Sequence, residues 1–203
     1  MKWILLSIVA AGFASLLHSP SAATIIEVDC NPEALISAVN AANSTPEADI
    51  LNLAPDCVYS FLVGDSTHGD SALPRITSDI TIVGGGSGST LLRAVESPDF
   101  RLIYVSYNGS LTLQDVTITG GSSATDGGGV YNSGNLSIVS STFTENAAMY
   151  SGGGVSTHGS LSILSLIHIC CDVIHPFRCS NGRTLPLNAQ RHQRERRHAD
   201  ADE

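Results

Sequence analysis

Carboxylates and imidazoles clustered in a short stretch are the first candidates for acid–base catalysis or for a metal ion. The densest cluster is the loop "GDSTHGD", which carries Asp65, His68 and Asp70. Its spacing matches no metal-ligand or catalytic set, and a solvated loop accounts for it. Asp115 and Asp126 would suit a polysaccharide-cleaving pair, but the positions 25 residues further on hold Ser140 and Ser151, so neither acid has a repeat partner. His158, in "STHGS", reads as a corner residue. Two glycine runs, Gly127-Gly128-Gly129-Val130 and Gly152-Gly153-Gly154-Val155, invite a phosphate cradle. No Gly-Lys-Ser/Thr follows either run, and neither has the aspartate of a calcium-binding β-roll. No catalytic, cofactor-binding or metal-binding residue is assigned, no cofactor is expected, and the balance leans against an enzyme.

Charge narrows the partners. The chain has 203 residues and a formal net charge of −9. From Thr24 to Ser165, three basic residues (Arg75, Arg93 and Arg101) face fourteen acidic ones. That surplus argues against nucleic acid and anionic lipid, and against an acidic polysaccharide unless Ca²⁺ bridges the charges. A host or environmental glycan, or a protein, remains as the partner class.

Residues 1–23, "MKWILLSIVAAGFASLLHSPSAA", read as a secretory signal cleaved after Ala23. The rival, a membrane anchor, is opposed by the apolar run ending at Leu17, short of the ~20 residues a spanning helix needs. No later run is long enough to span, so no membrane-spanning segment is expected in the mature chain. An exported protein on the outer surface or in the extracellular space meets an oxidising environment. Cys30 and Cys57 then form a plausible disulfide, with two unpaired thiols as the alternative. Cys170, Cys171 and Cys179 cluster separately.

Which elements must position these residues? "TIIEVD" alternates as a strand does. Asn31, Pro32 and Glu33 then make a helix start, and Leu35, Ala38, Val39 and Ala42 share one face. A short helix is expected over about 31–42. Beyond it the chain breaks into short strands separated by Gly, Asn and Ser. Leu111-Thr112-Leu113, Leu136-Ser137-Ile138 and Leu161-Ser162-Ile163 recur at 25 residues, and the two triple glycines keep the same spacing. One shared period in separate features marks a repeat.

A unit this small cannot bury its own apolar face, so units must stack. The expected fold is all-β: a right-handed parallel β-helix of about 25 residues per coil over 24–165, capped by the N-terminal helix. A β-sandwich or propeller is the alternative. Leu111, Leu136 and Leu161 would form one interior ladder, Leu113, Ile138 and Ile163 a second, Ile118 and Phe143 a third. Gly127, Gly128, Gly129, Gly152, Gly153 and Gly154 would form corners. Asn132 and Asn146 would sit at corners in a left-handed conformation. Asn43, Asn108 and Asn135 begin formal glycosylation sequons, which such a composition produces readily by chance.

"GGGVYNSGNLSIVSSTFTENAA" resembles the repeats of secreted bacterial right-handed β-helix proteins. It is especially similar to polymorphic outer membrane protein repeats, marked by Gly-Gly-aliphatic (Gly128-Gly129-Val130, Gly153-Gly154-Val155) and Phe-x-x-Asn (Phe143 to Asn146). The resemblance covers about residues 25–165. It implies a surface protein or autotransporter passenger with a structural or adhesin-like binding role, as a fragment of a longer passenger. The rival is a polysaccharide lyase or hydrolase of the pectin-degrading type, with its catalytic coils outside this chain.

Past Ser165 the template stops. The 25-residue register would put His168 where Ile118 and Phe143 sat, and Phe177-Arg178-Cys179 where the third triple glycine is due. Residues 166–203 are therefore expected to form no regular coils. Two readings stand for them: a natural basic tail, or a break in the reading frame.

Overall fold

The computed structural model describes residues 23–65 and 70–169. The signal segment up to Ala22, His68, and the C-terminal cysteines Cys170, Cys171 and Cys179 lie outside these residues.

The described chain is all-β apart from one helix. Strand β1 (Thr24–Val28) leads into α1 (Pro32–Asn43). Then follow β2 (Asp49–Pro55), β3 (Val58–Phe61), β4 (Asp79–Gly85), β5 (Ser89–Arg93) and β6 (Ile103–Val105). The repeat region adds β7 (Ser110–Gln114), β8 (Val116–Thr119), β9 (Ser122–Ser123) and β10 (Val130–Asn132). It ends with β11 (Asn135–Thr144), β12 (Ala147–Ala148), β13 (Val155–Thr157) and β14 (Ser160–Ile169).

Every pairing between these strands is parallel. The main sheet runs β1-β2-β4-β7-β11-β8-β5-β3, with β14 also on β11. It curls because β11 spans a corner, its first half paired to β7 and its second to β8. The smaller sheets are β13-β10-β6 and β12-β9.

Alternation sets the core. In β7 the burial pattern places Leu111 and Leu113 inside and the polar residues between them out. The ladder partners are Leu111, Leu136 and Leu161, then Leu113, Ile138 and Ile163, then Ile118 and Phe143. The ladders also reach back into the N-terminal half, through Ile80 to Leu111, through Leu51 and Ile82 to Leu113, and through Tyr59 and Leu91 to Ile118. Loops of unequal length between those strands hide the period from the sequence.

The last ladder rung differs from the expectation. Ile163 is 42% exposed and Leu161 only partly buried. β14 pairs with β11 on one side, and no described strand covers its other edge. The strand also runs through Ile169, past the expected boundary at Ser165. A register shift between Ser141 and Thr142 brings Ile169, not His168, opposite Phe143. The bulge thus returns an apolar residue type to that ladder position.

Helix α1 closes the other end of the sheet. The Asn31 side chain accepts from the Glu33 amide at 2.8 Å, and Leu35, Ala38, Val39 and Ala42 are buried. Cys30 and Cys57 are joined in a disulfide, with Cα atoms 5.6 Å apart. Asn43 is held by the structure: its Nδ2 donates to the Arg75 carbonyl and its Oδ1 accepts from the Thr77 amide.

The corners are columns of positive φ. One column is Asp115, Ser140 and Ser165, at φ 54°, 46° and 61°. A second is Gly120 and Glu145, and a third Gly127 and Gly152. The corner asparagines are not among them. Left-handed geometry falls on Glu145, one residue before Asn146. Asn146 instead accepts from the Gly121 amide and donates to the Ile118 carbonyl, both at 2.9 Å. Asn132 does likewise, accepting from Gly134 and donating to Thr157 and the Ser160 carbonyl. An amide carries a donor and an acceptor together, so it ties adjacent levels where a corner leaves backbone groups unpaired. Close packing fixes Gly128: a Cβ there would collide with the carbonyls of Ala147 and Gly153.

Candidate functional site

The acidic candidates separate in space. Asp115 lies in the corner column with Ser140 and Ser165, and its left-handed backbone is a role Asp tolerates better than most residues. Asp65 and Asp70 are linked through their backbones. The Asp65 amide donates to the Ser71 carbonyl at 2.8 Å, and the Asp70 amide to the Asp65 carbonyl at 3.1 Å. Among the described residues, no three His, Cys, Asp or Glu side chains converge as a metal site.

Asp70 and Asp126, far apart in the sequence, both act on the charge of Arg101. Arg101 precedes β6, its amide donates to the Asp70 carbonyl at 2.9 Å, and its side chain is 9% exposed. Nη2 donates to the hydroxyls of Ser123 and Thr125 at 3.1 and 3.0 Å. Nε is buried without a hydrogen-bond partner. Burial lowers the guanidinium pKa, while Tyr104, Tyr131, Asp70 and Asp126 oppose that shift.

Beside Arg101 stands a column of rings. Tyr104 on β6 and Tyr131 on β10 are register partners. Their centroids are 5.1 Å apart in an edge-on arrangement. His158 follows at 5.5 Å from Tyr131, tilted by 42°, and forms the exposed end of the column. The Arg75 guanidinium lies over the Tyr104 ring at 4.3 Å, and that of Arg101 lies 5.1 Å from the Tyr131 centroid. Arginine stacks well on aromatic faces, so the arrangement holds both cations and rings in place.

Two of the three basic residues of the body thus converge on one aromatic column. The sequence does not reveal the column; His158 lies at the bend after β13, and its ring completes it. Tyr104 and Tyr131 are spaced more widely than the 25-residue repeat, whose register would have set Ser106 opposite Tyr131. A search for aromatic residues in neighbouring units, tolerant of small insertions, would have found the pair.

The arrangement offers ring surface, hydroxyls and two cations in one place. That suits recognition of a polar ligand with an apolar face. No helix among the described residues is long and apolar enough to cross a membrane. No protein-family model, curated protein or solved structure matches this chain.

Proposed function

We propose that this chain is an exported, cell-surface right-handed parallel β-helix, of the polymorphic outer membrane protein type, with an adhesin-like binding role. The parallel registers support the coil reading: Leu136 stands between Leu111 and Leu161, and Val130 pairs with Val155. The binding role is carried by one observation, the Tyr104–Tyr131–His158 column flanked by Arg75 and Arg101. Rings held at β-strand spacing form a rigid surface, which binds with little ordering cost.

A second reading is a polysaccharide lyase or hydrolase of the pectin-degrading type, with its catalytic coils outside this chain. Such enzymes need clustered acids with or without Arg. One experiment separates the two. The full chain and its Tyr131→Ala variant are applied to an array of glycans and matrix proteins, and the supernatant is assayed for cleaved glycan. Retention that Tyr131→Ala loses, without product, supports the binding role. Product release from a bound glycan favours the enzyme, and equal retention of both chains rejects the column as the binding face.

A further inference from the structure

We propose that the Tyr104–Tyr131–His158 column, with the adjoining Arg101, Ser123 and Thr125 side chains, forms a subsite for a neutral oligosaccharide. The assignment rests on reading this face as a binding surface and names its ligand class.

Spacing is the first ground. The Tyr104 and Tyr131 centroids are 5.1 Å apart because the two residues are register partners on neighbouring strands, and His158, at the bend after β13, follows at 5.5 Å. That step is close to the length of one pyranose unit in a linear chain. An oligosaccharide laid along the column meets a ring at each step, by edge or by face because Tyr104 and Tyr131 stand at 82° to each other, with the exposed His158 as the open end.

Hydrogen-bonding capacity is the second. A sugar hydroxyl is donor and acceptor at once and needs both kinds of partner. Arg101 supplies donors, including a buried Nε with no partner. The hydroxyls of Ser123 and Thr125 lie 3.3 Å from each other and supply both. Few convergent polar groups beside apolar surface are the usual make-up of a small-ligand site.

Charge decides the class. Locally, Asp70 and Asp126 act on the charge of the Arg101 guanidinium. Globally, fourteen acids oppose three bases from Thr24 to Ser165. A polyuronate would gain little at the site and be repelled around it. A neutral chain carries no such penalty, and its binding should be insensitive to salt.

The test follows the ring resonances of Tyr131 and His158 by NMR in the full chain. Cellotetraose, xylotetraose and maltotetraose serve as neutral probes, and tetragalacturonate as the anionic one. The expected result is a saturable shift from at least one neutral probe, unchanged by added salt. It should weaken about tenfold in Tyr131→Ala, through loss of a central ring. His158→Ala removes an exposed side chain and should also weaken binding, so the proposal stays testable if Tyr131→Ala fails to fold. Tighter binding of tetragalacturonate than of any neutral probe overturns the neutral assignment while leaving the binding face intact. Absence of a shift from all four probes overturns the assignment too, and the array experiment then reports separately on the face.

Discussion

Replacing Asn146 by Asp should make the stability of this fold depend on pH with a calculable sign. Asn146 is 2% exposed and joins the Gly121 amide to the Ile118 carbonyl by two bonds of 2.9 Å. N146D keeps the acceptor and, when ionised, loses the donor. A carboxylate oxygen then faces the Ile118 carbonyl with no proton between them. An unsatisfied buried polar group costs ~1–3 kcal/mol and a charged one more, so about 3 kcal/mol is expected at neutral pH. Protonation restores the missing donor, so the introduced carboxyl has a folded pKa raised above the ~3.9 of an unfolded Asp. The penalty is therefore absent below about pH 4 and grows by about 1.4 kcal/mol per pH unit until it levels off near pH 6. Urea unfolding of the parent and N146D between about pH 4 and 7.5 reads the difference directly, the parent serving as baseline for every other titration. A stability difference that is flat with pH would refute the idea that the amide donor ties the two levels. So would a variant as stable as the parent at neutral pH.

Other outcomes follow from the same geometry. Ser140→Gly removes a Cβ from a residue at φ 46° and should raise stability by roughly 0.5–1 kcal/mol, read as a higher Tm. A lower Tm would show that the Ser140 side chain does more than fill a corner. Tyr59 is buried, and its hydroxyl accepts from the Ala54 amide and donates to the Val28 carbonyl. Burial raises its pKa above the ordinary 10.0, with Asp29 adding to the shift and the Ala54 hydrogen bond opposing it. The neutral form is therefore the one that stabilises the fold. That stabilisation is whole below pH 10.0 and is lost as pH climbs through the raised value. Tyr59→Phe should flatten this alkaline limb in a pH series of thermal melts.

Much of the architecture was legible because its causes are local. The helix start at Asn31-Pro32-Glu33, the apolar face of Leu35, Ala38, Val39 and Ala42, and the alternation in Leu111 to Leu113 all follow from rules spanning a few residues. The three repeat strands were aligned correctly because Leu111, Leu136 and Leu161 keep an unbroken spacing. The earlier rungs, Leu51 to Ile82 to Leu113, were not seen. Parallel pairing constrains strands and leaves the loops between them free in length, so period is lost where loops vary. Asn146 was recognised as special for the wrong reason, since residue type alone does not tell a left-handed backbone from a buried amide bridge.

By itself, then, the sequence determined the all-β class, the N-terminal helix and the alternation of apolar residues in the strands, because each rests on side-chain periodicity along a continuous chain. Tertiary structure alone decided the aromatic column. Tyr104, Tyr131 and His158 come together only when β6, β10 and β13 are set side by side, and Arg101 finds Ser123 and Thr125 only across loops. Stacking converts distance along the chain into adjacency in space, and unequal loops decide which residues share a column.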